Sequence, residues 1–326
     1  MSDGDPASEA PTHRGSSAPQ ASALVSRLVA AAGGSVRAVL LYGSHLLRTN
    51  PDQYSAVDLV VLVDGYGSFY AALDRADELH RPVWIMTSMA RLLAPSVIAF
   101  APNEGRTGIA KCMVVSREHL ARALGPDPPD HFLLGRLVQK VATVWAVGVE
   151  EAAWVDEHLA GARARVLTWM APYLDGPVDA AGLGRRLLEV CYDGELRPEA
   201  KNRAERIFDA QVDHFLTTLA PVLESGVQSG LLVREGDRYR LASPVPPSER
   251  RRWRRYFARS KARATARWFK HIITFANWLP YVARKVERHT GRPVELTRLE
   301  RWLPLIFLWP RLIHVLLTRP HREIGS

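Results

Sequence analysis

The stretch that decides the fold is Leu40-Leu41-Tyr42-Gly43-Ser44, followed after a polar loop by Val57-Asp58-Leu59-Val60-Val61-Leu62-Val63-Asp64. Val36 to Leu41 is an apolar run, and Val57 to Val63 has the β-branched richness of a buried strand. The pair therefore reads as a strand, a Gly-Ser bend, a loop and a second strand that opens on an acid. Strand alternation puts Asp58, Val60, Leu62 and Asp64 on one face of that second strand. Six residues at about 3.3 Å each separate Asp58 from Asp64 by about 20 Å, too far to share one metal ion.

Working outward, Ser22 to Ala32 reads as a short helix and Gly33-Gly34-Ser35 as a break before the first strand. Downstream, the pattern predicts a helix over Ser68 to Leu79 and strands over Val83 to Met86, Val97 to Phe100 and Ile109 to Val115. It then predicts a long helix over His131 to Val147, with Leu133, Leu137, Val141 and Val144 on its apolar face. Alternating strands and helices make residues 22–150 an α/β domain, preceded by a disordered tail over 1–21. Residues 152–223 read as helical. Leu231 to Arg234 and Arg238 to Leu241 then flank the tight turn Glu235-Gly236-Asp237 and predict a hairpin. A helical set followed by a hairpin is the layout of a winged helix over 151–245, or of a small packing module that touches no nucleic acid.

The chain of 326 residues is 47% apolar and 24% charged, which excludes a wholly disordered polymer. Cys112 and Cys191 are too few for a disulfide scaffold or a cysteine zinc cluster and point to a reducing compartment. The net charge of +9 is unevenly placed. Residues 246–326 hold 19 Lys+Arg against 5 Asp+Glu, whereas residues 1–245 hold 24 against 29. A mildly acidic body with a strongly basic tail predicts a polyanionic partner, either nucleic acid or an anionic lipid surface. The start of the chain is polar, without a secretory signal. The longest apolar stretch, Trp302 to Leu317, is broken by Pro304, Pro310, Arg311 and His314 and is too short to span a bilayer as a straight helix. The expected location is cytoplasmic, with attachment to a membrane surface open.

The Gly-Ser bend is where chemistry is expected. Gly43 lets the backbone approach a triphosphate, the Ser44 hydroxyl can bind phosphate oxygens, and Asp58 can hold Mg²⁺ against them. This is similar to the layout of polymerase-β-like nucleotidyltransferases. That pattern carries two acids at i and i+2 on the second strand, and here position 60 is Val. The plainer alternative is a turn Gly-Ser beside a strand-capping Asp. His45, next to Ser44, reads as a loop residue rather than a catalyst.

Tyr42-Gly43-Ser44 followed by Asp58-Leu59-Val60 and Val63-Asp64 resembles the mitochondrial-type phosphatidate cytidylyltransferases, the translocator assembly and maintenance family, which lacks the close acid pair in the same way. Further islands are similar in the same order: Ile109-Ala110-Lys111-Cys112-Met113-Val114-Val115-Ser116, then Gly135-Arg136-Leu137 with Lys140, then Cys191-Tyr192-Asp193-Gly194-Glu195-Leu196-Arg197 with Glu199, Lys201 and Arg203. They span roughly residues 36–288. The family's Trp-His and His-Tyr-Ser motifs are absent from residues 64–92. The resemblance implies cytidylyl transfer from CTP to phosphatidic acid, giving CDP-diacylglycerol and pyrophosphate with Mg²⁺ as cofactor. Asp58, Ser44 and Glu195 would be catalytic, with Asp58 on the metal and Glu195 supplying the acid missing at position 60. Gly43, Ser44, Lys111, Arg136, Arg197 and Lys201 would bind the nucleotide and substrate phosphates. Alternatives remain for several of these residues: a snorkelling strand-edge lysine for Lys111, a solvated helix start for Glu195 and Arg197, and surface charge for Lys140.

The tail fits that substrate. Arg250-Arg251-Arg252-Trp253-Arg254-Arg255-Tyr256-Phe257 opens a basic segment, and five of the nine tryptophans lie beyond residue 250. Cations with interfacial aromatics suit an amphipathic helix on an anionic leaflet, so 246–326 is expected to associate peripherally with the inner face of the cell membrane. Nucleic acid is the competing partner. Two other functions remain open: a nucleotidyltransferase of this fold acting on a soluble or protein acceptor, and a non-catalytic nucleic-acid-binding module.

Overall fold

The two strands around the Gly-Ser bend pair with each other. In the computed structural model, which describes residues 19–49, 55–79, 81–102, 108–193 and 203–274, β1 (Val36–Tyr42) runs antiparallel to β2 (Val57–Val63), with Tyr42 opposite Asp58. β2 runs parallel to β4 (Ala110–Ser116), which brings Lys111 beside Asp58. The edges are β3 (Ser96–Phe100), antiparallel to β4, and β5 (Ala142–Ala146), antiparallel to β1. The result is a mixed five-stranded sheet of order β3-β4-β2-β1-β5. Its central strands read as unbroken apolar runs because both faces are covered. Val39, Leu41, Leu59, Val61 and Val114 meet α1 (Pro19–Ala32), α3 (Tyr66–Arg75) and α4 (Val83–Leu92) on one face. Leu40, Val60, Leu62, Met113 and Val115 meet α5 (Arg117–Leu124), α6 (Leu134–Leu137) and α7 (Val149–Ala164) on the other. A single turn, α2 (Ser44–Leu47), follows the bend.

The second face continues without a break into α8 (Val166–Met170), α9 (Ala180–Asp193), α10 (Arg203–Asp209) and α11 (Val212–Gln228), through Leu183, Leu187, Phe208, Phe215 and Leu223. A hairpin follows, β6 (Leu232–Glu235) and β7 (Arg238–Leu241), closed by Gly236-Asp237 with Gly236 at φ +65°. Tyr239 and Val178 exchange backbone hydrogen bonds of 2.8 Å and anchor it.

Two expected elements differ. Val83 to Met86 is the first turn of α4, not a strand. Only Met86 and Ala90 of that helix are buried, four residues apart, and Pro82 precedes its first turn. The long helix expected over His131 to Val147 is instead α6, a turn and β5. Val141, Thr143 and Val144 are β-branched, and their segment supplies an edge strand to β1. The expected tail 1–21 lies outside the described residues up to 18, and α1 already begins at Pro19.

The hairpin leads into α12 (Pro247–Thr274), a helix of 28 residues. Its inward seam is Trp253, Tyr256, Ser260, Arg263, Arg267, Lys270 and Thr274, alternating steps of three and four residues. The seam starts aromatic and becomes polar and charged. Arg267, 1% exposed, donates to Asp130 Oδ2 at 2.6 Å and to Ala94 O, and Arg263 donates to the same carboxylate oxygen at 2.7 Å. Lys270 Nζ donates to the carbonyls of Met89, Leu93 and Pro95 and to Ser96 Oγ, and Thr274 Oγ1 donates to Val97 O. These bonds cover the start of edge strand β3 and hold the loop between α4 and β3. Trp253, Arg267 and Lys270, which the sequence offers to a membrane, are thus spent on intramolecular packing, while Trp268 and Phe269 face outward. Residues 275–326 lie outside the described residues. No helix among the described residues is long and apolar enough to cross a membrane.

Candidate functional site

Gly43 has φ +76° and ψ −157°, a backbone that disfavours any side chain. Space requires glycine as well: a Cβ here would lie 2.8 Å from Asp58 Oδ2 and 3.4 Å from Asp58 Cβ. The Asp58 carboxylate therefore lies directly against the bend, as an acid meant to share a ligand with that bend would. Leu46 and Leu47 N–H close back on Gly43 O at 3.1 and 3.0 Å, so Ser44 heads a tight turn at the sheet's end. His45 is buried, its Nε2 3.1 Å from Ser55 O. It ties Ser55, ahead of β2, to the bend and lies within the turn α2 rather than in a loop.

Tyr42, Asp58, Lys111 and Ala99 form one row across four strands, spaced by the roughly 4.8 Å of neighbouring strands. Lys111 is half-buried and shares the face of Met113 and Val115. The next position inward on β2, Val60, is 0% exposed within the core. An acid there would be buried under the sheet's helices. Asp64 sits at the far end, 57% exposed and 3.5 Å from Arg37, and takes no part.

Arg136 is held flat. Its guanidinium lies 4.0 Å over the Phe132 ring and donates to Phe132 O at 2.6 Å, while Arg267 lies 4.8 Å from the centre of the same ring. The His271 ring is 6.5 Å from Phe132. Burial first, then the positive charges of Lys270, Lys111, Arg267 and Arg136, push the His271 imidazole down to about 3, so it is neutral at physiological pH. The residue is 213 positions from Asp58 and was missed in the sequence, where its only signal is its place beside the inward seam of α12. Lys140 is an exposed residue, in keeping with surface charge.

Two separated motif islands also meet. A Cβ at Gly135 would lie 2.8 Å from His131 Cδ2 and 3.3 Å from Cys191 Sγ, so glycine permits α6 to approach α9. His131 Nε2 lies 3.3 Å from Cys191 Sγ, and burial pushes that histidine to about 3. The segment leaving Cys191 carries Glu195, Arg197 and Lys201, all three outside the described residues. Among the described residues no group of three His, Cys, Asp or Glu side chains could hold a metal ion. At the bend, the carboxylate among the described residues is that of Asp58. It fits an Mg²⁺ that keeps most of its ligands as water and substrate phosphate, not an all-protein cage.

No protein-family profile and no curated protein matches the chain. Among solved structures, a nucleotidyltransferase-like protein from Exiguobacterium sibiricum 255-15 is similar at 12% identity over 95% of this chain and 97% of its own, with a TM-score of 0.26. A likeness of that size assigns no activity.

Proposed function

We propose that the protein is an Mg²⁺-dependent nucleotidyltransferase that moves the cytidylyl group of CTP onto the phosphate of phosphatidic acid. The observation that carries the reading is the apposition of Asp58 and Gly43, with Lys111 on the adjoining strand. An acceptor phosphate oxygen attacks the α-phosphorus of CTP, the bond from that phosphorus to the bridging oxygen breaks, and pyrophosphate leaves with the electron pair. The acceptor is ionised at neutral pH, so no strong general base is required. Asp58 would hold the Mg²⁺, which when bound neutralises charge on the phosphates. Lys111 meets the non-bridging oxygens of the triphosphate, and Arg136, stacked on Phe132, presents a rigid fork to a phosphate. CTP and phosphatidic acid come from the motif islands rather than from the geometry.

The test uses labelled CTP, Mg²⁺ and phosphatidic acid vesicles with wild type and Asp58→Asn. Lipid-soluble label is expected from the first, and a loss of at least a hundredfold from the second. Equal label from both would remove Asp58 from the chemistry. A second reading, transfer to a soluble acceptor, is favoured by the inward burial of Arg267 and Lys270, which takes two cations away from a bilayer. It predicts turnover that needs no vesicles.

A further inference from the structure

The outer side of α12 carries a feature that the Asp58 site does not use. Between its first turns and the loop before α6 lies an open cleft of about 900 Å³, lined by Pro126, Pro128 and Pro129 on one wall and by Arg251, Arg252, Arg255 and Arg259 on the other. Arg251, Arg255 and Arg259 follow one another at i, i+4 and i+8, so they rise along one stripe of the helix in steps of about 6 Å. All four are exposed. Arg252 reaches Asp127 at 3.3 Å across two exposed side chains, a pair worth little. Among the described residues, Arg251, Arg255 and Arg259 form no ion pair. Like charges at i, i+4 repel, and among the described residues the one carboxylate lining the cleft is Asp127, which pairs with Arg252.

The cleft is also built to hold its shape. Three prolines stiffen the loop, and Trp253 and Tyr256, buried beneath the arginines, fix the helix against the body. A second, smaller cleft of about 420 Å³ opens on the other flank, lined by Arg250, Arg251 and Arg254 with Pro172 and Tyr173. Arg251 stands on the crest between them. Guanidinium forks crowded into a concave, preformed volume match tetrahedral phosphate oxygens, each fork able to donate two parallel hydrogen bonds.

We propose that the cleft between α12 and Pro126–Pro129 is a second anion site that takes a phosphate monoester, whether the headgroup of an anionic lipid or a soluble phosphate compound. It shares no residue with the candidate catalytic site: its last arginine, Arg259, lies eight residues, about 12 Å along the helix axis, before Arg267, which shares the Phe132 ring with Arg136. The site stands whether or not Asp58 supports nucleotidyl transfer.

The experiment is done on the full chain and reads binding, so it needs no turnover. Inorganic tripolyphosphate is titrated by calorimetry, and vesicles of phosphatidylcholine with and without phosphatidic acid are co-sedimented. The variant is Arg255→Gln with Arg259→Gln. The control, Arg206→Gln with Arg238→Gln, removes the same charge from exposed positions elsewhere. The cleft variant is expected to bind at least tenfold more weakly while the control stays within twofold of wild type. Loss confined to phosphatidic acid vesicles assigns a lipid headgroup, and loss of tripolyphosphate as well assigns phosphate compounds in general. Equal loss in the control and the cleft variant would overturn the site, leaving only net charge. So would unchanged binding of both probes, including the case where a single-stranded oligonucleotide alone is lost.

Discussion

Val57, Leu59, Val60, Val61, Leu62 and Val63 of β2 are all 0% exposed, and all are aliphatic. Ser260, Arg267, Lys270 and Thr274 on the seam of α12 are between 1% and 6% exposed, and none is. Both elements bury a face; they are held by different physics. The strand gains from every methylene removed from water, whatever its neighbour. The helix gains only if each polar group finds its particular partner, because removing one partner of a buried pair costs about 3–5 kcal/mol. The consequence is that β2 should tolerate conservative change one residue at a time, while α12 should fail abruptly when a partner on another element is lost.

The largest effect is expected at Asp130, which serves Arg263 and Arg267 together. Asp130→Ala leaves the Arg267 guanidinium buried without its carboxylate, and urea unfolding should show a loss of about 3–5 kcal/mol. Asp130→Leu combined with Arg267→Met should recover much of it, since a matched apolar pair no longer needs partners. A single-mutant loss below about 1 kcal/mol would mean that water reaches the seam and that the contrast with β2 is false.

The same contrast explains what could be read from the chain. β1, β2, β3, β4 and the β6–β7 hairpin lie within about one residue of the positions their apolar runs and turn residues indicate, and Gly43 and Asp58, paired in the sequence by the strand–bend–strand layout, lie against each other. Apolar alternation is a local signal that needs no knowledge of partners. α12 was legible as basic and helical, not as packed, because its inward residues, Arg263, Arg267 and Lys270, are the types that normally face water. Their burial depends on Asp130 and on carbonyls of residues 89–95, which no local pattern links to them. His271 was hidden for the same reason. The β5 segment failed differently: Leu133, Leu137, Val141 and Val144 give a helical period, and only the open edge of β1 decides for strand.

A second effect separates the two regions by pH. The strands of β2 and β4 hold no histidine, whereas the α12 side packs His131, Tyr256 and Phe257 together, the His131 ring 4.9 Å from that of Phe257. Burial, opposed by Asp130 and assisted by Arg136, lowers His131 to about 3 in the folded chain, against about 6.5 when unfolded. The unfolded chain then binds the proton first, so this stability is complete above about pH 6.5 and is lost as pH falls towards 3. His271 at about 3 and His214 at about 4 add the same sign. Chemical denaturation at pH 7, 5.5 and 4 should show a slope that is smaller in His131→Gln. An equal slope in that variant would place the acid sensitivity elsewhere.

The smallest effect tests the sheet itself, by comparing the two acids of β2. Asp58 leans on the Gly43 bend. Asp64 is 57% exposed and lies 3.5 Å from Arg37, whose guanidinium is already bound to the buried Glu151 at 3.1 Å. Removing the Asp64 charge therefore leaves Arg37 with a partner, and an exposed pair contributes about 0–1 kcal/mol. Asp64→Asn should shift urea midpoints by the equivalent of less than about 0.5 kcal/mol and leave transfer from CTP within twofold of wild type. If transfer instead fell tenfold or more, the far end of β2 would have to reach the nucleotide. A flat strand with about 20 Å between its two acids does not allow this, so the pairing of Tyr42 with Asp58 would itself have to be wrong.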